Sequence, residues 1–505
     1  MTKLTEEKKS AIEWIDENSE MISDFHQRIW KYAEPAFREY ESVKAFADFH
    51  LKEGFNVIIG VAELPTAYIA TWGEGNPIIS TYTEYDAVPG TSQDAINYQT
   101  TENPYMAGHT DPHSALGVGA LIGATAAKEA MEKHGLSGTI KVFGTPAEKV
   151  CAKPWLSSKG LFENLDASIG WHPRNKTTVM YETQWGSYWS LAFIFECNKP
   201  EEWISHTPDL QRQARPPGAL DALCLMYTTT KYTKEAMLPN TGLWSINETA
   251  LIAGQSTADN IPPKISVIAY AFRSGSLSQQ KQILKVLMNN AKNVANITNC
   301  ELRTRWISKT RTGLFNKCLA DIAYQNLESI GPPRFSKSDK EVARKIIQNL
   351  GYDDITEPYN ENLTPPNDWE KYWRSMIPPT QQKFGSDDYV EFTWHCPTVW
   401  IQIYTPRIEL PGIRAPQWTK VALGGIKGPI DKSIYVAGKA ISATMLDLFT
   451  NPGKLRKCQQ EFRKRTKIYK EEPLLEPDLM PPTDLPWPEY ITTVRGREWH
   501  IPPMI

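Results

Sequence analysis

From about residue 6 to 51 the apolar positions recur at helical spacing, with Ile12, Ile15, Ile22, Phe25 and Ile29 along one face, and the block reads as long helical structure. The period then changes. Short apolar runs rich in β-branched and aromatic residues, at 55–62, 66–72 and 77–83, are separated by Gly and Pro and read as strands. A helix is expected over about 115–133, ended by His134-Gly135, followed by strands at 138–144 and 165–171. Strand and helix alternate here. That alternation predicts an α/β fold with a mixed central sheet flanked by helices.

The stretch from about 184 to 305 behaves differently. Aromatic-rich strands at 185–196 and 265–272 surround helices near 219–237 and 279–296, as in a small α+β insertion. The first pattern resumes at 342–350 and 398–404 and in a helix over about 434–449. The expected organisation is a catalytic domain in two parts, 1–185 and 306–470, interrupted by an inserted lid at 186–305. A tail at 471–505, with Pro473, Pro477, Pro481, Pro482, Pro486 and Pro488, is expected to wrap the surface or to be partly mobile.

A chain of 505 residues is too long for one ordinary core, which agrees with two domains. With 55 Lys+Arg against 58 Asp+Glu, it lacks the basic excess that announces a nucleic-acid partner, so small-molecule or peptide chemistry is the better expectation. No run approaches the roughly 18–20 apolar residues that span a bilayer. The charged, helical start (Thr2-Lys3-Leu4-Thr5-Glu6-Glu7-Lys8-Lys9) is unlike a secretory signal. The seven Cys are scattered without C-x-x-C spacing, against a disulfide framework or a structural zinc site. A soluble, cytoplasmic protein is expected.

Four short segments concentrate the unusual chemistry, each beside a predicted strand end: Thr83 through Gly90, Gly108 through His113, Thr145 through Lys149, and Trp171-His172-Pro173. Ligand sites in open α/β sheets gather at such edges. His109, Asp111 and His113 supply two imidazoles and a carboxylate within five residues, and His172 adds a third imidazole, a mixture that borderline divalent cations such as zinc or manganese favour. Glu148 is placed to act as general base on a metal-activated water.

Together these segments resemble metallopeptidase family twenty, and within it the amidohydrolases similar to the aminobenzoyl-glutamate hydrolase B subunit, the aminoacylase and carboxypeptidase group. The run T-E-Y-D-A-V-P-G-T-S-Q at 83–93 resembles that subgroup's A-E-Y-D-A-L-P-G-L-S-Q. Residues 108–117 correspond to G-H-x-C-G-H-N-x-x-G, 145–149 to T-P-A-E-E, 171–173 to W-H-P, and 259–263 to the N-I-V-P motif. The resemblance implies a homodimer through the lid, a bridging metal ligand at Asp111, and one metal completed by His113 and His172. It also implies, at His206, a histidine supplied across the dimer to the tetrahedral intermediate; at Arg273, the arginine after the next strand, a fork donor for a substrate carboxylate; and, at Asn260, a partner for the same group or for a developing oxyanion. The second metal's ligands are replaced by Lys149 and, by alignment of Ala415-Pro416-Gln417-Trp418 with A-H-S-W, by Pro416; the alternative is that His395 completes a site. The ammonium of Lys149 can take the vacated cation's place by pairing with Asp111 or Glu148.

The leading expectation is a metal-dependent amidohydrolase that cleaves an amide of an N-acyl or N-aroyl amino acid or small dipeptide with one metal per chain. Two rivals stand beside it: a repurposed member catalysing amide condensation, cyclisation or deamination, and a catalytically silent binding subunit.

Overall fold

The computed structural model describes residues 4–101, 103–199, 215–237, 244–254, 259–353, 355–379, 381, 383–410, 412, 414–468, 471–494 and 496–500. Six strands come first: β1 (Asn56–Ile59), β2 (Tyr68–Glu74), β3 (Ile78–Thr83), β4 (Gly138–Gly144), β5 (Ala167–Arg174) and β6 (Thr178–Val179). Next come β7 (Gln184–Glu196), β8 (Ser245–Ile252), β9 (Ile265–Ser274) and β10 (Glu301–Lys309), then β11 (Lys383–Ser386) and β12 (Thr398–Tyr404). A hairpin of β13 (Glu489–Thr493) and β14 (Gly496–His500) follows.

The larger sheet has the order β1-β2-β4-β3-β5-β12-β6. Its centre is parallel, since β3 pairs in that sense with β4 and β5, and β5 with β12. The antiparallel pairs lie towards its edges. Parallel strands must be covered on both faces, and β5 and β12 are buried along almost their whole length. Helix His113–His134 packs against β3 and β5 and against helix Pro429–Thr450. It has little amphipathic contrast because nearly every residue from His113 to Met131 is buried. Close approach needs small residues: a Cβ on Gly119 would stand 2.7 Å from the Trp171 ring, and one on Gly123 2.7 Å from Ile441 Cβ.

The second sheet, antiparallel in the order β10-β7-β9-β8, has β11 added beside β7. Helices Ala219–Met237 and Leu277–Thr298 pack on it around Trp189, Phe193, Tyr270, Phe272, Ile283 and Leu287. The fold is thus the α/β arrangement that the alternation predicts, with an antiparallel α+β unit inserted in the chain between β6 and β11.

The long helical block at the start is three helices, Glu6–Glu17, Ser19–Tyr32 and Tyr40–Lys52. The first break is at Asn18, whose side chain and N–H both bond Trp14 O, and the second at Ala33, which turns left-handed (φ 42°) before Glu34-Pro35. Strands β8 and β10 carry too many outward polar residues for the apolar-run criterion, which passes them over. The proline-rich tail is anchored: Leu475, Leu485 and Trp487 are buried, Trp487 packs on Phe37, and the Tyr490 hydroxyl donates to Ala33 O at 3.0 Å. No helix among the described residues is long and apolar enough to cross a membrane.

The helix contact gives a direct test. Gly123→Leu should lower unfolding free energy by at least roughly 1–3 kcal/mol in urea titration, because the rigid helix 429–450 leaves no room. Tyr232→Ala, at a site 82% exposed, should change it by less than about 0.5 kcal/mol. Equal effects would show that the contact is not tight.

Candidate active site

The parallel centre of the sheet brings the C-terminal ends of β3, β4, β5 and β12 to one edge. Glu84 and Asp86 follow β3, Glu148 and Lys149 follow β4, and His172 lies near the end of β5, while His113 opens the helix 113–134. Between Thr145 and Cys151 the chain turns sharply, and two non-glycine residues, Ala147 (φ 54°) and Cys151 (φ 59°), sit in the left-handed region. Such strain persists only where surroundings over-determine it. Here Ala147 N–H donates to Glu39 Oε1 at 2.7 Å and Lys149 N–H to Asp86 Oδ2 at 2.9 Å. Burial, with the charge of Asp86 added, pushes the Glu39 carboxyl up to about 8 against its hydrogen bonds from Thr66 and Ala147.

Both imidazoles are held through Nδ1. His113 Nδ1 lies 2.7 Å from Asp86 Oδ1, and His172 Nδ1 lies 2.9 Å from Pro173 O, so each Nδ1 is assigned the donated proton and each Nε2 is turned to the site. His113 Nε2 stands 3.4 Å from Glu84 Oε2 and 3.3 Å from Glu148 Oε2. His172 Nε2 stands 3.9 Å from Asp111 Oδ1. Burial and Lys149 act to lower the His113 pKa, but Asp86 and Glu84 outweigh them and raise it to about 9. Burial drives His172 far below its usual value.

Glu84 Oε2 and His113 Nε2 are buried and without a hydrogen-bond partner among the described residues. Glu84, His113 and His172 each present one ligand atom, all within 4.8 Å of one another. Two imidazole lone pairs and a carboxylate oxygen, preoriented by outer hydrogen bonds, are the donor set of a zinc- or manganese-type cation, and the residues fit one.

Beside this trio the charges are paired by lysines. Lys149 Nζ lies 2.9 Å from Asp111 Oδ2 and 2.9 Å from Glu148 Oε2, so it makes both of the pairings open to it. Lys153 Nζ, fully buried, joins Glu84 Oε1 (2.6 Å) to Asp388 Oδ1 (2.5 Å). Burial alone would raise Glu148, but Lys149, then His113 and Lys153, hold it down at about 2. Burial pushes Asp388 up to about 7, partly offset by Lys153, and lifts its neighbour Asp387 well above the carboxylate range.

The other candidates fall in different places. Asp111 is 25% exposed and committed through Oδ2 to Lys149, with Oδ1 towards His172. Arg273 stacks over Tyr188, and its Nε donates to Ser386 Oγ at 3.0 Å, next to Asp387 and Asp388. Asn260 is exposed on the turn that precedes β9. His206 lies outside the described residues. His395 is turned elsewhere, its Nε2 facing Ser157 Oγ (2.9 Å) and Arg311 Nη2 (3.0 Å). His109 borders a separate cavity with Trp30 and Gln27. Sequence reading gives no role to Glu84, Asp86, Lys153 or Asp388. Glu84 and Asp86 sit inside the T-E-Y-D run and were open to discovery there, whereas Lys153 and Asp388 meet only through the fold.

No family model matches the chain. The chain is 26% identical over 467 residues to the p-aminobenzoyl-glutamate hydrolase B subunit of Escherichia coli (strain K12), covering 90% of this chain and 94% of the relative. It is 25% identical over 311 residues to Xaa-Arg dipeptidase of Mus musculus, covering 58% and 64%. Among solved structures, an aminobenzoyl-glutamate utilization protein from Klebsiella pneumoniae aligns with a TM-score of 0.52 and 11% identity over 86% of this chain and 98% of that one. A protein described as an aminohydrolase, from methicillin-resistant Staphylococcus aureus, aligns with a TM-score of 0.53 and 14% identity over 87% and 99%. Over nearly the whole of both chains, then, this protein is similar to the p-aminobenzoyl-glutamate hydrolase B subunit, and it shares the fold of the aminobenzoyl-glutamate utilization protein.

Proposed function

We propose that this chain is a metal-dependent amidohydrolase that cleaves an amide of an N-acyl or N-aroyl amino acid or small dipeptide at a single cation site. The observation that carries the reading is the meeting of His113 Nε2, His172 Nε2 and the unpartnered Glu84 Oε2 beside Glu148, with Lys149 occupying the neighbouring position. Asp111 Oδ1 is within reach as a further ligand. A zinc or manganese ion held there would polarise the amide carbonyl and acidify water. Glu148 accepts the proton of the attacking water and returns it to the leaving nitrogen, so that protons balance over the cycle. Lys149 keeps Glu148 ionised before attack and pairs with Asp111 Oδ2. Arg273 takes a carboxylate on the amine half of the substrate, through the donors that Ser386 leaves free.

One observation favours a different chemistry on the same residues. The ammonium of Lys149 against Glu148 makes that carboxylate a weak base, poorly matched to removing a proton from water, which favours a step that does not use it as a base. Hydrolysis in labelled water separates the two, because only hydrolysis places solvent oxygen in the carboxylate product.

Protein purified without chelator should carry about one zinc or manganese per chain by elemental analysis, and His172→Ala should lose it. Two metals per chain would show that Lys149 has not replaced a cation, and none would overturn the metal reading. Glu148→Gln should retain the metal and lose roughly 100-fold or more in kcat on any amide that the wild type cleaves. Unchanged turnover would remove Glu148 from the chemistry. Lys149→Met should cost about 2 kcal/mol in chemical unfolding, less than a fully buried pair because Lys149 and Asp111 keep 29% and 25% exposure. A stability gain would mean that the lysine is not needed for charge balance.

A further inference from the structure

Next to the carboxylate-rich centre lies a cavity of about 870 Å³ with the opposite character. Its charged lining is Asp111 and Lys149 with Arg407, Glu409, Arg414 and Lys420, four cations against two carboxylates, and Pro416 stands among them. The family resemblance puts a metal-binding histidine at the position of Pro416. Arg407 reaches it from the end of β12, and Lys420 from helix Gln417–Gly425.

The cations here are not paired internally. Arg407 donates to Thr405, through Nε to the carbonyl (3.4 Å) and Nη2 to Oγ1 (3.2 Å). Arg174, beside them at the end of β5, lies over the Trp185 and Trp400 rings, and its buried Nε has no hydrogen-bond partner among the described residues. Among the described residues, Arg174, Arg407 and Lys420 form no ion pair; of the two carboxylates that line the cavity, Asp111 is bonded to Lys149, and Glu409, exposed at the rim, acts on Arg407 only at a distance. Burial, and after it the positive charges of Arg407, Lys149 and Arg174 against the opposing pull of Asp111, depresses Lys420. Burial likewise lowers Arg407. Half-buried cations of one sign are costly to hold together unless an anion joins them.

We propose that this cavity is a subsite for a second anionic group of the substrate, a carboxylate or phosphoryl group held by Arg407 and Lys420 with Arg174 behind them. The substrate class is then an amide with acidic groups on both halves, one at Arg273 on the inserted unit and one at this cavity. The identity of the substrate as an amide rests on the amidohydrolase reading, whereas the capture of an anion does not. A guanidinium fork and an ammonium converging on one oxyanion give short, charge-assisted bonds.

The test uses the full-length, metal-loaded protein in calorimetric titrations with glutarate, inorganic phosphate and, as the uncharged control, valeramide. Glutarate or phosphate should bind at least roughly tenfold more tightly than valeramide, and Arg407→Gln and Lys420→Gln should each weaken that binding by roughly tenfold or more. Preference for glutarate assigns a carboxylate, and preference for phosphate a phosphoryl group. Binding that survives both substitutions, or no preference over valeramide, overturns the subsite. Thermal melts verify folding, and Arg407→Lys, which keeps the charge but not the fork, should retain part of the affinity. In parallel, N-glutaryl and N-valeryl forms of one amino acid are compared as substrates; the glutaryl form should be favoured in KM, and the ratio should fall towards one in Arg407→Gln. If neither amide is cleaved but the titrations behave as stated, the hydrolase reading fails while the anion subsite stands.

Discussion

Charge balance at one edge of the sheet is the constraint on which the rest depends. Glu84, Asp86, Asp111, Glu148, Asp387 and Asp388 stand there with two ammonium groups, Lys149 and Lys153, set among them. Carboxylates packed this closely in a buried site cannot all ionise without cations. Lys153 ties Glu84 to Asp388, and Lys149 ties Asp111 to Glu148. What remains is a surplus of negative charge facing two imidazole lone pairs. A proton on His113 Nε2 would meet part of that surplus at Glu84 and Glu148, and a divalent cation at the same place would engage both imidazoles and Glu84 Oε2 together.

The scaffold meets this demand by rigidity. The central parallel strands end at one edge, so loops from distant parts of the chain deliver their carboxylates together, and the left-handed backbone at Ala147 and Cys151 fixes the turn that presents Glu148 and Lys149. Glu39 holds that turn from beneath. Asp86 serves two neighbours at once, orienting the His113 ring with one oxygen and the Lys149 backbone with the other. Preorganisation of this kind means that little has to move when charge develops during reaction.

A polarity gradient results. The centre is rich in unbalanced carboxylate, while the adjoining cavity is rich in unbalanced cation, with Asp111 and Lys149 on the border between them. Lys149 places one positive charge between Asp111 and Glu148, and Arg407 and Lys420 place more a short distance away on the cavity wall.

Much of this was legible along the chain. Alternating apolar runs and helical periods determined the α/β class, and the strand at 138–144, the helix at 219–237 and the strand at 398–404 fall where the pattern puts them, because burial of both faces of those strands and of one face of that helix leaves a signal in composition. The four chemistry-rich segments named His113, His172, Glu148 and Lys149 as residues of unusual character. Strands β8 and β10 were not legible, since exposed faces dilute the apolar pattern. Nor was the partnership of Lys153 with Glu84 and Asp388, residues separated by 69 and 235 positions. The sequence determined which chemical groups are present and the periodicity of the elements that carry them. Only the tertiary structure decided that Glu84 joins the two histidines, that His395 turns away to Arg311, and that Arg407 and Lys420 face a cavity without an ion-pair partner among the described residues. Such choices depend on distances between loops at one sheet edge, which strand order sets and local periodicity does not encode.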